Sequence, residues 1–298
     1  MDAAVSGGVT SLACPPDTDP PLDEPGLVDM LRRRAKALSR ARVYPVGALT
    51  VKLEGQALTE MGQLTDAGCV AFSQANVPIA DTQMLWRALQ YAATFDYPVW
   101  LRAEDASLAK GGVAHDGEVA TRLGLPVTCD VAVHHVHLCD MDLGYFDSQC
   151  RLEPPLRSQR DRDALSRGLV EGVVDCICSD HTPVDEDGKH LPFAQAEPGA
   201  TGLELLLPLT LRWGEANKLG LAATLARITS EPARVLGVGS GRLAPGAPAD
   251  LVLFDPAAPF KVAPETLRSQ GKNTPFLGYE LSGRVRCTIV AGNVVYEH

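Results

Sequence analysis

Val174-Asp175-Cys176-Ile177-Cys178-Ser179-Asp180-His181-Thr182-Pro183 is a short apolar run that ends in a carboxylate and an imidazole. A near-continuous apolar segment of this length is what a strand shows when helices cover both faces of a parallel sheet. Five more runs have the same character: Val9–Cys14, Arg42–Val51, Cys69–Ser73, Pro98–Arg102 and Val127–His134. Between them, Leu27, Leu31, Ala35 and Leu38 recur at helical spacing, as do Met84, Leu85, Ala88, Leu89 and Ala92 behind Asp81, an expected N-cap. Ser158 followed by Ala164, Leu165 and Leu169 repeats the theme. Strand alternating with helix predicts an α/β fold, here a (β/α) barrel of the TIM type.

The count falls short of a closed barrel, which needs eight strands. Only 24 residues separate Arg102 from Val127, with Gly111, Gly112, Gly117 and Gly124 among them and one weak helical stretch, Gly117–Leu123. A complete βαβ unit takes roughly 30 residues or more. The barrel is therefore expected to be incomplete, lacking its first strand and a sixth between Leu125 and Val127. Open sheet edges of that kind predict low solubility for the chain alone. From Gly241 the pattern changes to a turn-rich bridge, the strand-like Ala249–Asp255, and a closing hairpin with Ala291-Gly292-Asn293 at its turn. The expected division is a barrel over residues 1–240 and a small β domain over 241–298.

Composition narrows the function. Lys and Arg number 27 against 37 Asp and Glu, a net charge of −10 that argues against a non-specific nucleic-acid binder. Charged residues at 21% and hydrophobic ones at 45% leave little room for a largely disordered chain. Without an apolar run near the ~20 residues of a membrane helix, or a basic, apolar leader, a cytoplasmic protein is expected. The eight cysteines form no C-x-x-C pair and read as small buried thiols. Arg32, Arg33, Arg34, Lys36 and Arg40 read as the solvated side of a helix.

Asp180, at the C-terminal tip of its strand, leads the residues that could carry chemistry, because barrel enzymes react at that rim. A carboxylate there can ligate a metal or act as a general base; equally it can cap the following helix. His134, His135 and His137 invite a metal reading, and His115, His181 and His190 could add to it. His135 and His137, two apart, would share one face of a strand. Asp140 and Asp142 follow at once, which favours polar histidines of a loop instead.

Six motifs occur in a recognisable order: Gly7-Gly8-Val9-Thr10-Ser11, Pro154-Pro155-Leu156-Arg157, Ser179-Asp180-His181-Thr182-Pro183, Gly202-Leu203-Glu204, Ala249-Asp250-Leu251 and Asn273-Thr274-Pro275-Phe276. Together they resemble the dihydroorotases of the cyclic amidohydrolase superfamily, with allantoinases and hydantoinases as the nearest relatives. The resemblance implies a metal-dependent barrel and the reversible cyclisation of carbamoyl aspartate to dihydroorotate in pyrimidine synthesis. It also implies a ligand set that this sequence departs from. The family's H-x-H pair would precede Gly7, ahead of Met1. Its bridging acid falls at Ala75 and its next histidine at Arg102. A further histidine belongs to the missing sixth strand. Asp180 matches the catalytic, metal-binding aspartate. His135-Val136-His137 copies the H-x-H spacing but stands at the seventh-strand tip.

The resemblance also marks substrate positions. Asp17 and Glu153 stand where the family has asparagine, and Val184 stands where it has histidine. Pro198-Gly199 keeps a backbone that would meet the substrate. Two added carboxylates beside an anionic substrate are expected to cost several kcal/mol if the site is of low dielectric. Without a metal, no bound water reaches a pKa near ~7. The first expectation is a non-catalytic homologue with no cofactor that supports the catalytic chain of aspartate transcarbamoylase, with homo-oligomers also open. The second is an active, zinc-dependent hydrolase of cyclic amides. Neither involves nucleic acid or a membrane.

Overall fold

The structure is a computed structural model that describes residues 1–102 and 128–298. They form two compact units, one of residues 11–102, the other of residues 1–10 together with 128–298. The expected Gly117–Leu123 helix and the shortfall between Leu125 and Val127 lie outside the described residues.

In the first unit, strands β1 (Ser11–Cys14), β2 (Arg42–Ala48), β3 (Ala71–Ser73) and β4 (Val99–Trp100) pair in sequence order. Every pairing is parallel, so each connection must cross over, and helices α2 (Pro25–Leu38), α3 (Met61–Ala67) and α4 (Thr82–Thr94) supply the crossovers. Asp81 caps α4 by accepting from the Gln83 N–H at 2.8 Å, as expected. Leu22, Val28, Leu49, Met61, Leu64 and Phe72 make the core between sheet and helices. Leu38 does not join them. It is 58% exposed, because α2 closes at Ser39 in a left-handed turn and its last residue swings off the apolar stripe. Arg32 leaves the solvated side to donate to the Ala67 carbonyl at 2.6 Å, tying α2 to the end of α3.

In the second unit, α1 (Asp2–Ser6) precedes the parallel pair β5 (Asp130–Ala132) and β6 (Cys176–Cys178). Helix α5 (Gln159–Glu171) starts in a capping box with Ser158 and Asp161. The short α6 (Glu186–Lys189) is followed by α7 (Leu206–Ala216), α8 (Leu221–Ala226) and α9 (Ser230–Val235). Val131, Ile177, Leu169, Leu205, Leu209, Trp213 and Phe276 fill the core. Strands β7 (Leu251–Lys261), β8 (Glu280–Val290) and β9 (Asn293–Glu297) form a separate antiparallel sheet. Its last hairpin turns through Ala291 and Gly292 at φ +51° and +81°, the paired left-handed geometry that matches strand twist. Among the described residues the strands hydrogen-bond as three separate sheets.

One side chain holds the ends of the second unit's loops together. Asn273, 4% exposed, accepts from the Val184 N–H at 2.9 Å and donates to the Thr182 and Gly199 carbonyls, each at 3.0 Å. Its own carbonyl accepts from Thr201 N–H at 2.7 Å and Thr201 Oγ1 at 3.1 Å. The segments it joins cannot carry ordinary side chains at their closest points. Gly199 sits at φ +124°, where a Cβ would lie 2.6 Å from Thr182 Cγ2. At Gly202 a Cβ would overlap the Ser179 carbonyl oxygen.

Asn273→Ala would leave an N–H and two carbonyls unpaired in the interior, so it should lower unfolding free energy by about 2–4 kcal/mol. Asn273→Asp keeps the shape but turns two donors into acceptors facing carbonyls, and should cost at least as much. Urea unfolding of both variants tests this. An aspartate variant as stable as the parent would show that the amide donors contribute nothing.

Candidate functional site

β6 ends at Cys178, and two residues later Asp180 takes a left-handed backbone at φ +44°. A non-glycine residue in that region is uncommon and strained, and it breaks the strand sharply at its C-terminal tip. His181 pairs in parallel with Ala200, so the rim continues as a bridge to the 199–202 segment. There His181 Nδ1 accepts from the Gly202 N–H at 3.1 Å and the Leu203 N–H at 3.4 Å. That fixes the proton on Nε2 and takes up Nδ1. Burial pulls the His181 pKa down to about 4, with the chain's terminal ammonium adding to it.

The histidine-rich segment corrects two expectations. Val133–Val136 is a 3-10 turn, so His135 and His137 do not share a strand face. Nor is it a solvated loop: His134 is fully buried and His135 is 7% exposed. β5 ends at Ala132 because the chain must dive under α7 to reach the core, and the tight turn lets three imidazoles diverge. His135 Nε2 meets the Pro154 carbonyl at 3.0 Å, and His137 Nε2 donates to the Leu209 carbonyl at 2.9 Å. His134 stacks on Phe276, ring centroids 6.1 Å apart, and neither of its nitrogens has a hydrogen-bond partner among the described residues. Burial drives its pKa down to about 3, with His135, His137 and His181 adding to that while the Asp180 main chain works the other way.

The remaining predicted residues are distributed between the two units. With Asp180 stand Glu153, Val184, Pro198 and Gly199. Val184 is buried, its N–H held by Asn273. The Gly199 N–H goes to the Arg151 carbonyl at 2.9 Å and its own carbonyl goes to Asn273. The Arg151 carbonyl also accepts from the buried Lys189 ammonium at 3.2 Å, whose pKa burial lowers to about 8. Glu153 is exposed, two residues from this knot. Asp17, Ala75 and Arg102 belong to the other unit. Asp17 is exposed, so its charge and that of Glu153 act through water, and the several-kcal/mol repulsion expected in a low-dielectric site is screened. Ala75 follows β3 at φ +49° and donates its N–H to Ser73 Oγ at 3.0 Å. The neighbouring Gln74 is buried, bonded to Thr50 and to the Leu53 carbonyl. Arg102 is half-buried.

Sequence reasoning quoted Asn273 and Glu204 within motifs but gave neither a role. Glu204 accepts from Ser6 Oγ, Arg268 N–H and Ser269 N–H at 3.1, 2.6 and 2.9 Å. It therefore pins α1 to the 268–269 turn.

The zinc that the resemblance implies does not fit the described residues. Ala75 offers no donor atom and Arg102 is a cation. No three His, Cys, Asp or Glu side chains among the described residues come together as a metal would need. No helix among them is long and apolar enough to cross a membrane. All eight cysteines are free, and burial raises the thiol pKa at Cys69, Cys150, Cys176 and Cys178, which keeps them protonated.

The folded state binds a proton on His137 only below about 4, chiefly through burial and with the Arg212 and Arg162 charges adding to it, against 6.5 for an ordinary histidine. Between those values the unfolded chain holds more protons. The stabilising contribution is complete above pH 6.5 and is lost as pH falls toward 4, by at most about 1.4 kcal/mol per unit for each such histidine. Urea midpoints read from pH 7 to 4.5 should fall steadily, and His137→Gln should flatten that slope. An unchanged slope in the variant would mean that His137 takes up its proton at the same pH in the folded and unfolded chain.

Comparison with known proteins agrees with this architecture. The model of the amidohydrolase family matches residues 65–296. A dihydroorotase-like protein of Pseudomonas aeruginosa is 40% identical, the match covering 99% of this chain and 81% of that one. A dihydroorotase of Syntrophotalea carbinolica is 34% identical over 99% of this chain and 80% of its own. The Pseudomonas match runs over 343 positions; this chain has 298 residues. At least 45 of those positions, 343 less 298, therefore have no counterpart here. Among solved structures, the L-hydantoinase of Arthrobacter aurescens superposes with a TM-score of 0.86 at 23% identity, covering 99% of this chain and 79% of that one. A dihydroorotase of Saccharomyces cerevisiae gives 0.75 at 15%, covering 95% and 91%. Both superpositions match this chain to the α/β fold of those enzymes; among the described residues the strands do not close into a barrel. By sequence and by fold, the chain belongs to the dihydroorotase family of the amidohydrolases.

Proposed function

We propose that this chain is a non-catalytic member of the dihydroorotase family, one that serves pyrimidine biosynthesis by supporting the assembly of aspartate transcarbamoylase catalytic chains. One observation carries the reading. At two of the three described positions where the resemblance puts metal ligands, the side chains are a methyl group and a guanidinium, Ala75 and Arg102, and only Asp180 keeps a donor. A cation held by Asp180 with so few partners would lack the ligands that fix an open coordination site. Without it, neither the polarised ring carbonyl nor the low-pKa water of cyclic-amide hydrolysis is available. Around Asp180, Asn273, Gly199, Gly202 and Glu204 are nonetheless all engaged in close contacts or hydrogen bonds. That combination suits a protein selected for its surface and rigidity rather than for turnover.

The full chain, purified without added metal, should carry well under one zinc per molecule and should not open dihydroorotate. Co-expressed with an aspartate transcarbamoylase catalytic chain, it should elute with that chain in size-exclusion chromatography. Stoichiometric zinc with steady turnover would establish the active, zinc-dependent hydrolase instead. Separate elution of the two chains would remove the assembly role.

A further inference from the structure

Away from the Asp180 rim, α5 and α7 flank a cavity of about 220 Å³ whose floor is the turn carrying His137. That is smaller than the roughly 300–1,000 Å³ of sites for larger organic ligands. Two guanidinium groups, Arg162 from α5 and Arg212 from α7, line it. In a chain of net charge −10 such a pairing runs against the overall field. One is ion-paired and, among the described residues, the other is not. Arg162 gives Nε and one terminal nitrogen to Asp163 Oδ1, at 3.1 and 2.9 Å, and keeps its other nitrogen free among the described residues. Arg212 makes no hydrogen bond or ion pair among the described residues, and its guanidinium lies 5.9 Å from the centre of the Tyr279 ring.

The other walls are already satisfied. Ser166 Oγ accepts from Trp213 Nε1 at 2.9 Å and Asn217 Nδ2 at 3.3 Å, a rigid frame that asks for nothing more. His137 is different. Its Nε2 must carry the proton it gives to the Leu209 carbonyl, which leaves Nδ1 with a lone pair and no partner among the described residues. The cavity thus presents two guanidiniums, one of them paired to the Asp163 carboxylate on the same wall, and one neutral acceptor, so its unneutralised positive charge is that of Arg212. A bare oxyanion satisfies the donors but leaves Nδ1 facing negative charge. An oxyanion that retains one O–H satisfies both.

We propose that this pocket is a binding site for a protonated oxyanion, hydrogen phosphate or the phosphate of a monoester. The guanidiniums hold the unprotonated oxygens, as planar donors suit phosphate geometry, and the remaining O–H donates to His137 Nδ1. None of the residues lining the pocket is Asp180, His181 or a member of the 199–202 segment.

Isothermal titration of the full chain at pH 6.5 in a non-coordinating buffer tests this with three probes: inorganic phosphate, glycerol 3-phosphate and sulfate. Phosphate or glycerol 3-phosphate should bind, and whichever binds tighter identifies the free ion or the ester as the ligand. Sulfate, which carries no proton at this pH, should bind at least tenfold more weakly. Arg212→Gln and Arg162→Gln should each weaken binding at least tenfold, while Arg167→Gln, an exposed change elsewhere on α5, should leave it unaltered. Circular dichroism and the urea midpoint confirm that each variant is folded, and having two variants keeps the test open should one fail. No binding by either phosphate probe, sulfate binding as tightly as phosphate, or undiminished binding in both pocket variants would overturn the proposal.

Discussion

Three loops of the Asp180 unit meet at the Asn273 side chain, and their positions follow from its amide. A buried backbone N–H or carbonyl without a partner costs on the order of 1–3 kcal/mol, and beyond the Thr182 N–H bond to the Ala200 carbonyl at 2.8 Å the 182–184 and 199–201 segments do not continue as a ladder. A primary amide offers two donors and an acceptor in one plane, which is what two carbonyls and one N–H around a single point require. Asparagine has that set with the shortest stem. Glutamine adds a methylene that a site closed by Gly199 and Gly202 has little room for, and aspartate has the wrong polarity. The rim on which Asp180 sits therefore owes its shape to a residue 93 positions later in the chain.

The same economy explains the buried histidines. An imidazole in the interior is tolerable when it is neutral and when one nitrogen meets a carbonyl, and His135 and His137 meet that condition through Pro154 and Leu209. His134 does not, yet it lies flat on Phe276 with its ring edge toward Gly202. Both of its nitrogens are buried without a hydrogen-bond partner among the described residues. A stacked imidazole at that point sets the depth at which the 199–202 segment can approach, so it acts as a spacer.

Much of the fold could be read from local pattern because local physics decides it. Apolar runs gave β2, β3 and β6 within a few residues of their ends. The caps at Asp81 and Ser158 located α4 and α5, and Ala291-Gly292 located the last hairpin. What could not be read depends on distant partners. Nothing near residues 133–137 says that the chain dives beneath α7, so an alternating His pair looked like a strand face and its acidic followers like a solvated loop. Asn273 looked like one member of a loop motif because its three partners lie 74 to 91 residues away. Leu38 was assigned to the apolar stripe by period alone, whereas the left-handed turn at Ser39 decides which way a helix's last residue points.

On the proposed non-catalytic reading, loss of a metal set need not loosen the scaffold around it, for physical reasons. Metal ligands are held in place by the fold more than they hold it: a strand tip presents the carboxylate, and turns present the imidazoles. In that reading, Ala75 and Arg102 in place of two ligands leave the side-chain hydrogen bonds of Asn273, Glu204 and His181 untouched, because those bonds, Ser6 Oγ apart, end on backbone groups that any residue carries. The glycines at 199 and 202 are fixed by steric contact with Thr182 and Ser179, which no change of ligand alters. Selection for stability alone would therefore preserve the motifs that mark the family while the donor atoms drift. Motif order is accordingly a sound guide to ancestry and fold in this family, and a poor one to chemistry. The chemistry has to be argued from donor atoms position by position.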